Sequence, residues 1–574
     1  MRQILTPVRL VWALLALLLP ALPAAAGGDT LTVPAPYYHV DAANHLILVN
    51  QDVDVLSAGA TTNPNYLALD RVYSLTRPLG RISTDSSYRA VAAGAAYTLF
   101  FTKLPVVHID TRYPIVDAPS VYAQLQLTET SGRQVQAKLG IEIRGGSSQA
   151  LPKKSYELSF WADTTGASSA DVTLLGMRTD NKYNLQALYN EPLRFRSKVA
   201  NALWQEIHQI YYKAQEPEAK NGIAMQYAEL FLNGEYRGLY ALTERVDRKQ
   251  LKLKKYNNGI TGELYKGVDW AGAPTFSSVP PFDNTLDTWA GFEYKHPEEQ
   301  IDWTNLYNFC LFVKNSTDAN FYANYRQKFH LGNAVDYYLF LNLTRATDNT
   351  GKNIYIAKYK QGEPYYYVPW DLDGVFGTDW QGVNTGSVDD ILTNGFYQRL
   401  NQDCSAGGFR QTLTARWQAL RTTVITEQHI MAKFRAEYNY LAGNNAYARE
   451  QLVWGGTQQD TTQLGYIQGW VRSRLSYLDG VFGQSCNGVT AAKTAATVNP
   501  LLQLYPNPAT DNLRIESEAR GGELSLRDLS GRVVLQTTLK SAQSQVDVRA
   551  LRRGLYVVTL KTPTAVVTQK LLLE

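Results

Sequence analysis

Hydrophobic and polar positions divide the chain into strand-rich and helix-rich stretches. From about Thr30 to Thr102, short apolar runs stand between Gly, Asn and Ser turns, at Leu46–Val49, Tyr66–Leu69 and Tyr97–Phe101. Runs of this length bounded by turn formers predict strands. From Leu104 the pattern tightens, with paired strands expected at Val106–Ile109 and Val121–Leu127. A further pair flanks the glycine-bearing turn Arg144-Gly145-Gly146-Ser147-Ser148. Phe195, Val199, Leu203 and Ile207 then recur every four residues behind Pro192, which predicts a helix with one face in the core. Alternating arms around Asn233-Gly234, a favoured two-residue turn, predict a hairpin over Tyr227–Thr243. Residues 301–347 read as mostly helical (Trp303–Lys314, Ala334–Thr344), and helices return at Gly408–Leu441 and Gln463–Val481. Asn487–Asn499 is Ala/Thr-rich and unpatterned, a linker. Beyond it, strands at Leu513–Ile515, Leu524–Asp528, Val533–Thr538 and Tyr556–Leu560 predict a small β-sandwich.

One stretch organises the middle of the chain. Ile354–Lys358 and Tyr365–Val368 read as the arms of a hairpin, with Gln361-Gly362-Glu363-Pro364 as turn residues. Such a hairpin sets the residues before its first arm beside those after its second, so Asp348 and Asn353 are expected near Asp371 and Asp373. Crowded carboxylates repel one another, and a bound cation offsets that cost. Asp348 and Asn353 stand as D-x-x-x-x-N, the spacing of the protein-kinase catalytic loop, where the Asp accepts the hydroxyl proton and the Asn holds Mg²⁺. The spacing alone also suits a surface turn with solvated acids. Lys153 and Lys154 follow the glycine-bearing turn, whose backbone N–H groups can approach an anion. Strand alternation puts the two on opposite faces, so one is expected in the pocket, with Lys154 preferred.

Composition narrows the classes. The chain has 574 residues, too many for one ordinary domain, and 45% apolar residues can fill packed cores. A formal net charge of +4 is small for this size and supports no nucleic-acid partner. The start reads as a signal peptide: Arg2 and Arg9, the apolar run Leu10–Leu22, and the small-residue site Ala24-Ala25-Ala26. No later stretch is apolar enough to span a membrane, so no transmembrane segment is expected after cleavage. Three cysteines, Cys310, Cys404 and Cys486, allow one disulfide, for which Cys404–Cys486 is the expected pair. There is no C-x-x-C and no H-E-x-x-H, which argues against zinc chemistry.

Lys352-Asn353-Ile354-Tyr355, Pro369-Trp370-Asp371-Leu372-Asp373 and Phe376-Gly377 resemble the signature of the spore-coat CotH kinase family. Arg144-Gly145…Pro152-Lys153-Lys154-Ser155-Tyr156, Arg196-Ser197-Lys198 and Tyr227–Asp247 match it in the same order. The resemblance implies an α+β fold: an atypical protein-kinase-like two-lobed domain, preceded by a small β region and followed by an Ig-like β-sandwich. The divisions expected are 1–26 signal peptide, 27–103 accessory β region, 104–485 kinase-like domain, 486–499 linker and 500–574 sandwich. It further implies ATP and Mg²⁺ as cofactors. Asp348 is the implied catalytic residue and Asn353, Asp371 and Asp373 the metal ligands, with Arg144, Lys153, Lys154 and Glu244 at the nucleotide. Glu244 lies where a kinase has its hinge. Glu206 is one candidate for the helix glutamate that meets the lysine, although an exposed helix charge is its plainer role. Leu504-Tyr505-Pro506-Asn507-Pro508 and Arg553-Gly554-Leu555-Tyr556 resemble the type A sorting domain of the Bacteroidetes type IX secretion system. This implies export through the periplasm to the surface or medium, with the secretion machinery as a partner.

Three functions compete on this reading. The first is a secreted Mg-dependent Ser/Thr kinase acting on a protein hydroxyl. The second is an inactive kinase-fold surface or assembly protein, favoured by the missing His-Arg before Asp348 and the missing G-x-G-x-x-G. The third is a carbohydrate-active surface protein, which needs two carboxylates at a set separation.

Overall fold

The computed structural model describes residues 29–59, 63–455, 462–484, 486, 502–517, 522–528, 532–562 and 566–574. The expected signal peptide, and the expected linker apart from Cys486, lie outside the described residues. Contacts divide the chain into two units, Met1–Ser485 and Cys486–Glu574.

Three β layers and a helical body build the first unit. Residues 30–101 form a seven-stranded sheet, which includes the runs Leu46–Val49, Tyr66–Ala68 and Ala95–Phe101. Leu46, Leu48 and Phe100 from this sheet share a small core with Val106, Phe231 and Tyr236. Polar contacts cross the same seam: the Tyr236 N–H donates to Asp41 at 2.8 Å, and the Asn50 amide donates to the Thr128 carbonyl at 2.9 Å.

Next comes a closed barrel. Its strands run, in order around the wall, Gln134–Arg144, Ser155–Trp161, Lys182–Gln186, Glu235–Thr243, Met225–Leu232, Val106–Asp110 and Val121–Thr128. Every pairing is antiparallel except Met225–Leu232 with Val106–Asp110. Alternate residues point inward, so Val107, Ile109, Leu125, Leu139, Ile141, Leu158, Phe160 and Leu185 fill the interior. Closure removes the exposed strand edges that an open sheet would leave.

A second, five-stranded sheet carries the predicted hairpin. Its order is Thr288–Trp289, Phe292–His296, Glu263–Gly267, Ile354–Lys358, Tyr365–Pro369. Helices pack beside it around one large aromatic-rich core, among them Arg196–Ile207, Thr304–Asn315, Leu331–Thr344 and Thr462–Phe482. Phe195, Val199, Leu203 and Ile207 are all buried there, as their spacing requires. The helix Asp318–Lys328 lies within the stretch read as mostly helical but was not assigned by itself, because its sequence carries little amphipathic pattern. Among the described residues no helix is long and apolar enough to cross a membrane. Cys404 and Cys486 are disulfide-bonded and Cys310 is a free, buried thiol.

In the second unit, a three-stranded sheet (Gln503–Tyr505, Asn512–Glu516, Gln543–Asp547) and a four-stranded one (Val533–Leu539, Gly522–Arg527, Gly554–Lys561, Val566–Leu573) share one core. Asn507 of the Tyr-Pro-Asn-Pro motif ties its start to its end. Its amide donates to the Lys570 carbonyl at 2.8 Å and its side-chain oxygen accepts from the Leu572 N–H at 2.9 Å.

Candidate active site

The site is assembled at the base of the Ile354–Pro369 hairpin. Ile354 pairs with Pro369, and beyond that pair the Trp370 N–H donates to the Asn353 carbonyl at 3.1 Å. Asn349 closes the arrangement. Its buried side-chain amide donates to the Asn353 carbonyl at 2.6 Å and to the Trp370 carbonyl at 2.8 Å. One amide therefore fixes the segment carrying Asp348 against the turn carrying Asp371 and Asp373. Asn353 and Asp371 both adopt left-handed backbone, with φ of 57° and 54°. Asn and Asp tolerate that region better than other non-glycine residues, and such conformations cluster at functional sites. Leu372, 1% exposed, anchors the acidic turn in the core between its two aspartates.

Electrostatics show what this does to Asp373. Its carboxyl keeps contact with solvent but is walled by protein, and its pKa is pushed up to about 7. Loss of hydration is the main cause, and the Asp371 charge adds to it. Glu191 and Asp348 act in the same direction, while Arg144 opposes them. Asp371, Asp348 and Arg144, the last at the end of a barrel strand, thus all lie within electrostatic reach of Asp373. The Arg144 guanidinium lies 5.8 Å from the centre of the Trp370 ring. It ends its strand immediately before Gly145, whose φ of 117° and 2.0 Å approach of the Ser148 Oγ to any added Cβ leave room for glycine alone.

Lys266 is a further cation here. It sits on the Glu263–Gly267 strand, in register with Tyr355 and Glu293. Burial lowers its pKa, with Glu293 and Asp371 acting against that shift and Lys295 and Arg144 with it. In sequence, the run Gly262-Glu263-Leu264-Tyr265-Lys266 also resembles the CotH family, which marks it only as able to line the cleft.

Three expected nucleotide contacts are placed otherwise. Lys153 is 1% exposed, and its ammonium donates to the Leu239 carbonyl at 2.5 Å and to Glu450 at 2.7 Å. Lys154 spends its ammonium on the Gln149 and Leu151 carbonyls, at 2.6 and 2.7 Å, so it braces the glycine-bearing turn. Glu244 is buried and accepts from the N–H groups of Arg178 and Ala224, from Lys220 and from Gln250. The reason is burial. A charged group with no water must be paired, and protein partners already do so for Lys153 and Glu244. A lysine–glutamate pair does exist, but its acid is Glu450 on the helix Ala446–Val453. Glu206 instead pairs at the surface with His429 and Lys433.

Residues 141–478, more than half of the chain, match the CotH kinase protein family. The chain belongs to the CotH kinase family. Residues 503–574 match the secretion system C-terminal sorting domain. That domain marks this CotH kinase family member for export to the cell surface or the medium. No curated protein matches the chain. Among solved structures it is similar over a short segment to PorZ, described as an essential bacterial surface component of the type-IX secretion system of Porphyromonas gingivalis. The identity is 20% and the TM-score 0.13, and the match covers 15% of this chain and 13% of that one.

In this CotH domain no group of three or more His, Cys, Asp or Glu side chains, among the described residues, converges tightly enough to cage a bare ion. Mg²⁺ does not need such a cage. It is commonly held by one or two carboxylates, with substrate phosphates and water completing the octahedron. Asp371 and Asp373 with the Asn353 amide supply hard oxygen donors of that kind.

Proposed function

We propose that this protein is a two-lobed atypical kinase of the cell exterior that transfers phosphate from ATP to a protein Ser or Thr hydroxyl. The observation carrying this reading is the grouping of Asp348, Asp371 and Asp373 at one hairpin base, opposed by Arg144. On this reading the barrel forms one wall of the site and the five-stranded sheet with its helices the other. Asp371, Asp373 and Asn353 would hold Mg²⁺, which when bound neutralises phosphate charge. Arg144 and Lys266 would take the remaining phosphate charge, the part that sequence reasoning gave to Lys153 and Lys154. Asp348 would orient the acceptor hydroxyl and receive its proton as the oxygen–phosphorus bond forms and the bond to ADP breaks. Catalysis then rests on positioning and charge neutralisation.

Calorimetry with ATP, with and without Mg²⁺, tests this. Wild type is expected to give metal-dependent heat, Asp371→Ala none, and Lys266→Ala a weakened signal. Asp348→Asn is expected to bind yet transfer no radiolabel. Absence of metal-dependent heat from wild type would overturn the kinase reading. A second reading, a kinase-fold surface protein without transfer, is favoured by one observation: Lys153 and Lys154 both have protein partners. It predicts binding of a partner protein that is indifferent to Asp348→Asn.

A further inference from the structure

The same hairpin has a second chemical end. Its far turn, with the loop before the Glu263–Gly267 strand, encloses a cavity of about 560 Å³ lined by Lys254, Lys255, Asn257, Thr261, Lys360 and Gln361. The lining holds three ammonium groups and no carboxylate. Carboxylates stand at its edge beside two of the three, Glu216 at Lys254 and Glu363 at Lys360, which leaves Lys255 as the ammonium with no ion pair among the described residues.

The walls are fixed in place. The Lys254 N–H donates to the Tyr359 carbonyl at 3.1 Å, which joins the loop to the hairpin. The ammonium groups of Lys254 and Lys360 lie 5.2 and 5.7 Å from the centre of the same Tyr359 ring. That ring is stacked on Tyr212 with centroids 4.1 Å apart. Two cations are thus held together on one immobilised aromatic face, an arrangement that offsets part of their repulsion. Glu216 pairs with Lys254 at 2.7 Å, and Glu363 lies 3.9 Å from Lys360. Lys255 is exposed and has no ion pair among the described residues. The side-chain amides of Asn257 and Gln361 can bond backbone N–H and C=O groups, whereas the Thr261 hydroxyl donates to the Lys255 carbonyl and is left able only to accept.

We infer that this cavity docks an anionic segment of a polypeptide, either acidic or phosphorylated, at a distance from the acidic residues at the hairpin base. Each arm of the hairpin has five residues. At roughly 3.4 Å per residue the two ends are about 17 Å apart, the span of about five extended residues. The substrate role of the docked segment rests on the kinase reading; the docking itself does not.

The test uses the full chain and fluorescein-labelled synthetic peptides. Each carries one serine and, five residues away, a run of glutamates, a pair of phosphoserines, or glutamines as control. Fluorescence anisotropy without nucleotide should show binding of the anionic peptides over the control. The exposed double variant Lys255→Glu/Lys360→Glu should weaken that binding about tenfold, and Asp371→Ala should leave it unchanged. Comparison of the glutamate and phosphoserine peptides distinguishes the two sources of charge. If transfer is also observed, the double variant should raise KM for the anionic peptides and spare kcat. Equal binding of anionic and control peptides, or no effect of the double variant, would overturn the assignment. So would tighter binding to vesicles of anionic lipid with the same variant sensitivity, which would make the cavity a membrane contact.

Discussion

Replacing Glu450 should be among the most destructive single changes in the first unit. One of its oxygens accepts from Lys153 at 2.7 Å and from the Leu239 N–H at 2.5 Å, and the other from Arg194 at 3.2 Å. All three charged side chains are at most 3% exposed. Glu450→Ala would leave two buried cations without their carboxylate and a backbone donor without an acceptor. Breaking a buried ion pair from one side costs about 3–5 kcal/mol, and an orphaned buried donor about 1–3 more. Lys153→Met should cost less, because Arg194 still compensates Glu450 and the methionine fills most of the volume. Burial lowers the Lys153 pKa to about 8, so holding it charged works against folding, and methionine removes that load. Urea unfolding followed by tryptophan fluorescence reads the difference. With m of about 3 kcal/mol/M, the midpoint should fall by about 1.3–2.7 M for Glu450→Ala and by less than half of that for Lys153→Met. The double variant Lys153→Met/Glu450→Gln should be more stable than the sum of its singles by about 1–3 kcal/mol. A Glu450→Ala midpoint within about 0.2 M of wild type would refute a structural pair. The same holds if Lys153→Met abolished nucleotide heat at unchanged stability, since the lysine would then belong to the ligand.

Acid should weaken the seam between the N-terminal sheet and the barrel. His39, whose ring nitrogen lies 2.6 Å from His108, has its pKa lowered to about 3 by burial and by the His108 charge. In the folded protein it stays neutral down to that pH, whereas the unfolded chain takes up the proton below about 6.5, so stability should fall as pH drops from about 6.5 towards 3. Urea midpoints at pH 7 and 5 should differ for wild type and differ less for His39→Gln. Asn507→Ala, which removes two hydrogen bonds at the end of the sorting domain, should cost that domain about 1–3 kcal/mol, measured on isolated residues 502–574 if they fold alone and by limited proteolysis of the full chain otherwise. Deleting residues 500–574 should retain the protein in the periplasm, and unchanged appearance at the surface or in the medium on fractionation would count against the sorting role. Thiol titration should detect Cys310 only after denaturation, since burial raises its pKa and shields it, and an immediate reaction in native buffer would contradict its burial.

What could be read from the residues alone follows the range of the forces involved. Period-two and period-four patterns reflect local burial, and they located the hairpin, the helix Arg196–Ile207 and four strands of the sorting domain, but not Gln503–Tyr505, Gln543–Asp547 or Val566–Leu573. The packing of the segment before the first arm against the turn after the second was readable because a hairpin converts nearness in sequence into nearness in space. The partner of Lys153 was not, because Glu450 lies 297 positions away and reaches it only through tertiary packing. Alternation was the wrong rule for Lys153 and Lys154, because the strand begins only at Ser155 and both lysines belong to the turn before it. Lys266 gave one faint signal, its place in the family-like run Gly262–Lys266. Asn349 gave none: an asparagine in a turn looks like any other until its two carbonyl acceptors are found on different segments.

That asparagine has an implication for how such a protein can change. Asn349 and the pairing of Ile354 with Pro369 lock one end of the hairpin, so the acidic residues keep their spacing whatever happens five residues away. The opposite end is held separately, by the Lys254 N–H on the Tyr359 carbonyl, and its turn contributes Lys360 and Gln361 to the lysine-lined cavity. Insertions or exchanges there can alter which polypeptide is held without moving a single carboxylate. Chemistry and choice of partner are thus mechanically uncoupled along one strand pair, so grafting turns from related chains would redirect this protein more safely than editing the cleft itself.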